Sequence, residues 1–386
     1  MESLDEGILQ TLVSDKVAEG KAIEYKQALP GNSDSEKKEF LADVSSFANA
    51  VGGDLMFGIR EEAGLAVEVL GVQTTDPDSE ILRLESMIRD GIQPRIPGVS
   101  SRAIHLQSGA YVVVIRIVKS WAAPHLVAFQ NYSRFYSRNS AGKYQLDVGE
   151  IRTAFALSES LSERIRSFRL DRVGKLVSNE TPVPLDKNAK ILLHLIPLSA
   201  FDRPTQYDLA AAVKDVTKLF PIYSSSINGN HYNFDGYLTY SSFQKSSSAH
   251  SYLQIFRNGI IEAAEAFMIR DQEGKRLIPS QLFEKELVDA LPRFLQIQKT
   301  LGVQPPILVM LSFQGVSGYV MAVDTSRFMF AEAHPVDRDA LILPEIMLES
   351  LECDASQVLR PMFDLVWNAT GWPRSMNYDK NGKWNL

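Results

Sequence analysis

The chain has 386 residues, 45% of them hydrophobic and 23% charged, with a formal net charge of −7. That length suits two ordinary cores at roughly 100–200 residues each, and the composition is that of a globular chain without a long disordered arm. The single cysteine, Cys353, excludes an intrachain disulfide and a cysteine-based zinc site and points to a reducing, cytoplasmic setting, while no apolar run approaches the ~20 residues that span a bilayer. Residues 3–14 then read as a short amphipathic helix, followed by a strand over 23–27. Ser33 and Glu36 have capping-box spacing, and Phe40, Leu41, Val44, Phe47 and Ala48 share one face of the helix they begin, which should end near Asn49. Gly52 and Gly53 supply a turn into a strand over 55–59, and a further extended segment covers 65–70. Asp76 is a plausible N-cap with Pro77 in the first turn; Ile81, Leu84 and Ile88 form a stripe, and Gly91 is the stop. Residues 111–118 are apolar except for Arg116 and rich in β-branched side chains, the signature of a central strand buried on both faces. Another strand follows at 134–138, and Val148 opens a helix that runs past Phe168.

The character changes near residue 177, where Asn179, Pro182 and Pro184 mark a linker. The domain reading is therefore 1–160, a helical and linker segment at 161–188, and an α+β domain at 189–386. The last contains a strand at 191–196, a hairpin closed by Asn258-Gly259, and a helix with Phe283, Leu287, Ala290, Leu291, Phe294 and Ile297 on one face. Pro292 should bend or split that helix. A terminal helix over 357–367 completes the α+β pattern, and no internal repeat is visible.

The net negative charge excludes a generally basic nucleic-acid binder, because phosphate binding depends on clustered Lys and Arg that displace counterions. The distribution is uneven, however. From Gly91 to Lys143 the chain carries Arg95, Arg102, Arg116, Lys119, Arg134, Arg138 and Lys143 and neither Asp nor Glu. Aromatic residues are interleaved with these cations, which suits a groove that neutralises phosphates and stacks bases. Arg95, Lys119, Arg134, Arg138 and Lys143 are the candidate nucleic-acid contacts, with Arg134 and Arg138 on one side of a strand.

In EGKAIEYK, Glu19 precedes a strand on which Glu24 and Lys26 share a face. A carboxylate beside an ammonium suits phosphodiester chemistry, the acid holding a hard cation and the lysine offsetting charge on the phosphate. An ordinary surface ion pair would produce the same triplet. His105 and His125 could serve metal-free RNA cleavage as acid and base; the alternative is a hydrogen-bonded histidine in an apolar setting. There is no G-x-x-x-x-G-K-[ST] loop or G-x-G-x-x-G after a strand to support ATP binding.

The order EGKAIEYK, a helix ending SFANAVGGDLMFGI, a helix, a buried strand and then RFYSRNS resembles the Schlafen AlbA-like domain over roughly residues 15–155. The phrase SFANAVGGDLMFGI carries most of the likeness, through Phe47, Ala48, Asn49, Gly52, Gly53 and Gly58. The resemblance implies an α+β fold with a mixed sheet and flanking helices. It also implies a divalent-metal-dependent endoribonuclease acting on structured RNA such as tRNA, an activity suited to defence or stress response. Glu19, Glu24 and Glu61 would hold Mg²⁺ or Mn²⁺, with Lys26 completing the catalytic set. Glu61 stands where the nucleases usually have aspartate, and the zinc site of the animal nucleases is absent. The alternatives are a non-catalytic DNA- or RNA-binding regulator and an ATP-binding regulatory protein. One copy of the pattern offers half of the two-lobed RNA clamp, from which a homodimer is expected.

Overall fold

The computed structural model describes residues 4–385, apart from 75, 202–205, 245, 273 and 324–333. The chain divides into two units, 1–163 and 164–386. In the first, α1 (Glu6–Ser14) leads to β1 (Ile23–Lys26), α2 (Asp34–Asn49), β2 (Gly52–Phe57), β3 (Ile59–Glu62), β4 (Leu65–Val69), α3 (Pro77–Gly91) and β5 (Ile92–Gln93). Then come β6 (Val99–His105), β7 (Tyr111–Val118), β8 (Leu126–Phe129), β9 (Tyr132–Asn139), β10 (Gly142–Gln145) and α4 (Val148–Ser178). A mixed sheet has the order β1-β2-β7-β6, with β1 parallel to β2 and the other pairs antiparallel. A second, antiparallel sheet runs β10-β9-β8-β5, and β3 pairs with β4.

The hydrophobic pattern explains why the mixed sheet is covered twice. Val113, Ile115 and Ile117 of β7 join Leu55, Phe57 and the stripe of α2 on one face, whereas Val112, Val114, Met56, Tyr25 and Leu9 form a separate core on the other. β7 is thus the doubly buried strand that its composition predicts. At the start of α2, Ser33 and Glu36 exchange the reciprocal bonds of a capping box. Gly52 and Gly53 differ from the expected turn, since both already belong to β2. Gly52 has φ +78°, and a Cβ there would lie 2.7 Å from the Lys119 nitrogen, so only glycine permits the approach of β2 to β7.

In the second unit the strands are β11 (Lys190–Pro197), β12 (Gly229–Tyr232), β13 (Gly236–Ser241), β14 (Ser251–Phe256), β15 (Ile261–Glu265), β16 (Asp271–Gln272), β17 (Lys275–Pro279), β18 (Ile307–Gln314), β19 (Val320–Ala322), β20 (Ala340–Ile342) and β21 (Ile346–Leu348). Its α-helices after α4 are α5 (Ala210–Val213), α6 (Ser280–Thr300) and α7 (Ala355–Asn368). The large sheet is antiparallel in the order β12-β13-β14-β15-β11-β18-β20, with β21 also beside β18. Alternate residues of β11, β14, β15 and β18 bury under α6 and α7; the opposite face packs Leu192, Tyr252 and Ala264 with Val173 and Leu176 of α4. The helix that opens at Val148 runs past Phe168 to Ser178, and Arg169, Arg172, Val173 and Leu176 are buried in it. Pro292 does not split α6, which continues to Thr300. Among the described residues, no helix is long and apolar enough to cross a membrane.

Candidate nucleic-acid interface

β1 lies beside β2 with Glu24 opposite Leu55 and Lys26 opposite Phe57, so both polar side chains share the face turned to α2. There they meet Asp43, which stands three residues after Phe40 on the buried stripe of α2. Across β9 and β10, Arg138 is directly opposite Lys143 and delivers a second pair of cations. Lys26 Nζ is 2.8 Å from Glu24 Oε1 and 3.7 Å from Asp43 Oδ2, and Lys143 Nζ is 2.8 Å from Asp43 Oδ1. Arg138 Nη2 donates to Glu24 Oε2, and Lys143 also pairs with Glu39.

Arg138 corrects an expectation. Its side chain is 0% exposed. The guanidinium donates to the Gly20 carbonyl and Ser46 Oγ and lies 4.0 Å over the Phe47 ring. Arg134 and Arg138 share a face of β9, but Arg134 is exposed whereas Arg138 falls where that face is covered by α2. A guanidinium held this way anchors carboxylates and does not contact a phosphate at the surface. Lys143 is largely committed in the same network.

Burial acts first on Glu24 and would raise its pKa, but the bonds from Lys26 and Arg138 reverse this and hold the carboxyl below its ordinary value. Lys26 would be lowered by burial, yet Asp43 and Glu24 raise it. Asp43 is raised, burial outweighing Lys143 and Lys26. Glu19 is raised as well, through burial first, with the Tyr25 N–H opposing and with Glu24 and Glu61 adding repulsion. Glu19 therefore feels the charge of both other carboxylates singled out in the sequence.

Their oxygens are nevertheless engaged. Glu19 Oε1 accepts the Tyr25 N–H at 2.8 Å, and Glu61 Oε2 accepts the Gly64 N–H at 2.7 Å in the β3–β4 turn. Glu24 is occupied by Lys26 and Arg138. Among the described residues, no three His, Cys, Asp or Glu side chains are arranged to hold a metal ion. As placed, the donor set does not fit Mg²⁺ or Mn²⁺, because an ion at Glu24 would have to displace two cations.

Arg95, Lys119 and Arg134 are exposed. Arg134 lies 5.7 Å from the centroid of the Tyr132 ring, and Lys38 of α2 lies 5.5 Å from the same ring. Among the residues not picked out in the sequence, Asp43 is the centre of the ionic network. Its signal was a charge on an apolar helical face. Asn49, named in the sequence only as part of the SFANAVGGDLMFGI phrase, donates its amide to the carbonyls of His125 and Tyr136 and accepts the His125 N–H, tying the end of α2 to β8 and β9. His125 is buried with Nδ1 2.7 Å from the Pro94 carbonyl, and burial lowers its pKa, so it is a neutral core residue. His105 is exposed and packs edge-on against Tyr111.

A family model described as Schlafen, AlbA_2 matches residues 19–147, the stretch that contains this network and its surrounding sheets. Residues 19–147 are a Schlafen AlbA_2 domain. The family ties this domain to a nucleic-acid-related function. The crystal structure of the DIP2311 protein from Corynebacterium diphtheriae is similar at 19% identity, covering 37% of this chain and 27% of that one, with a TM-score of 0.25. The solution structure of the N-terminal domain of a protein from Nitrosomonas europaea, described as related to the ATP-dependent DNA helicase RecG, is similar at 20% identity. It covers 37% of this chain and 92% of that one, with a TM-score of 0.26. The matched part of this chain thus spans well under two thirds of the DIP2311 protein. No curated protein matches the chain.

Proposed function

We propose that the Schlafen AlbA_2 domain binds nucleic acid at the start of β9, around Tyr132 and Arg134, with the internal ionic network holding that strand in place. The observation that carries this reading is the pair of cations, Lys38 and Arg134, flanking the Tyr132 ring. Cations beside an aromatic ring suit a strand whose phosphates need neutralising and whose bases can stack. Arg95 and Lys119 supply further exposed positive charge. The test is fluorescence anisotropy with labelled single-stranded RNA, single-stranded DNA and duplexes across a salt series. Arg134→Ala should weaken all sequences alike and reduce the salt slope by about 1. No binding by the unaltered chain at low salt would remove the proposal.

A second reading, a metal-dependent endoribonuclease acting on structured RNA such as tRNA, is favoured by the repulsion that Glu24 and Glu61 exert on Glu19. That reading would require Arg138 and Lys26 to leave Glu24 before Glu19, Glu24 and Glu61 could hold Mg²⁺ or Mn²⁺, with Lys26 offsetting charge on the phosphate. Incubating tRNA with the protein and Mn²⁺ tests it; intact tRNA beside an active control nuclease would leave binding alone. A homodimer belongs to the same proposal, since twofold association would duplicate a single cationic surface. Light scattering with a mass near 43.1 kDa, with and without RNA, would instead leave one open face.

A further inference from the structure

A polar row crosses the α6-facing side of the large sheet in the second unit. Ser241 of β13 lies opposite Ser251 of β14, which lies opposite Glu265 of β15. All three are 0% exposed, and the next residue in the row, Ile191 of β11, belongs to the apolar core under α6 and α7. Polar groups at such depth need partners. Ser241 has them in the Ser226 carbonyl and Ser224 Oγ. Glu265 Oε1 accepts the N–H groups of Phe267 and Met268 at 2.7 and 2.8 Å. Two atoms on facing residues do not: Ser251 Oγ and Glu265 Oε2 are buried without a hydrogen-bond partner.

Facing residues on paired strands have Cβ atoms ~4.5–5.5 Å apart on the same side of the sheet, so these two side chains can share one small guest. A loop and α6 cover this part of the sheet. Glu286 of α6 accepts the Tyr223 N–H at 3.2 Å, which brings the loop bearing Ser224 and Ser226 over the row. Burial pushes the Glu265 carboxyl up to about 8 against its two N–H donors; Glu286 raises it further, and Arg270 opposes. A carboxyl in that position retains a proton unless another positive charge replaces it.

We propose that Glu265 Oε2 and Ser251 Oγ ligate one monovalent hard cation, Na⁺ or K⁺, between β14 and β15. Oxygen ligands select a hard cation. One fully buried carboxylate balances one positive charge, whereas a divalent ion would leave net charge in a low-dielectric interior.

The test is scanning calorimetry of the full chain at pH 8 and constant ionic strength in sodium, potassium, magnesium or choline chloride. The unfolding temperature should be higher in Na⁺ or K⁺ than in choline and should rise with the logarithm of alkali-ion concentration above saturation. Glu265→Gln should erase that difference. Should this variant not fold, Ser251→Ala, which keeps the carboxyl, should shrink it. Identical unfolding temperatures in alkali ions and choline would overturn the proposal in favour of a buried water. A difference retained in Glu265→Gln, or unchanged in Ser251→Ala, would place the ion elsewhere and overturn it, as would a response to magnesium alone.

Discussion

Two carboxylates, half-buried Glu24 in the first unit and buried Glu262 in the second, are each held by an arginine, yet they are held differently. Glu262 receives both Arg172 Nε at 2.7 Å and Nη2 at 2.6 Å, with His194 Nε2 at 2.9 Å and the Tyr252 hydroxyl at 2.7 Å. Burial would raise its pKa, but Arg172 and His194 carry it down to about 2. Glu24 is 13% exposed and meets Arg138 through one nitrogen only, while its other oxygen bonds Lys26, itself 33% exposed. Asp43 and Glu19 crowd the same place. An enclosed carboxylate with a bidentate arginine is a fastener. One that shares its cations with other carboxylates near the surface is held less exclusively.

Breaking the fastener should have the largest effect. Arg172→Ala strands Glu262 in the interior and should cost about 3–5 kcal/mol, read as a lower unfolding temperature with loss of hydrogen-exchange protection in β11, β14 and β15. Arg172→Met combined with Glu262→Gln should recover part of that loss, because no unpaired charge is left behind. A small effect of Arg172→Ala would show that the two carboxylates do not differ as described.

Arg138→Ala should come next, destabilising the first unit by roughly 2–4 kcal/mol, since a partly exposed Glu24 retains Lys26. Its binding loss should follow the loss of folded protein rather than appear as a change in salt slope, in contrast to Arg134→Ala. Equal salt-slope changes in both variants would return Arg138 to the phosphate contacts.

Acid should separate the two sites more gently. Because the folded pKa of Glu262 lies below its ordinary value of 4.5, its contribution is complete above that pH and fades as pH falls toward about 2. Glu265 has the opposite sign. Its folded pKa of about 8 lies above 4.5, so the stability gained from its bound proton is full below pH 4.5 and is lost as pH rises through 8. Unfolding temperatures from pH 3 to 9, repeated with Glu265→Gln, should show the upper slope disappear while the lower one stays.

The smallest effect is expected from Glu24→Ala on affinity. Removing a carboxylate removes repulsion of phosphate, so RNA binding should be equal or slightly stronger, while any metal-dependent cleavage should vanish. Weaker binding in a variant that is folded would make Glu24 part of the interface itself.

Local rules made much of this protein legible in its sequence. The Ser33–Glu36 capping box, the apolar stripe of α2, the β-branched run of β7, the Asn258-Gly259 hairpin and the phrase SFANAVGGDLMFGI each depend on residues close together in the chain, so periodicity and turn chemistry suffice to read them. Even the common face of Glu24 and Lys26 follows from strand alternation. What the tertiary structure alone decided is which charges meet. Arg138 reaches Ser46 and Glu24 from β9, Lys143 reaches Asp43 from β10, and Ser251 faces Glu265 beneath α6. Whether a cation meets solvent or a carboxylate depends on how distant strands and helices cross, and a sequence period records only the face, not what is packed against it.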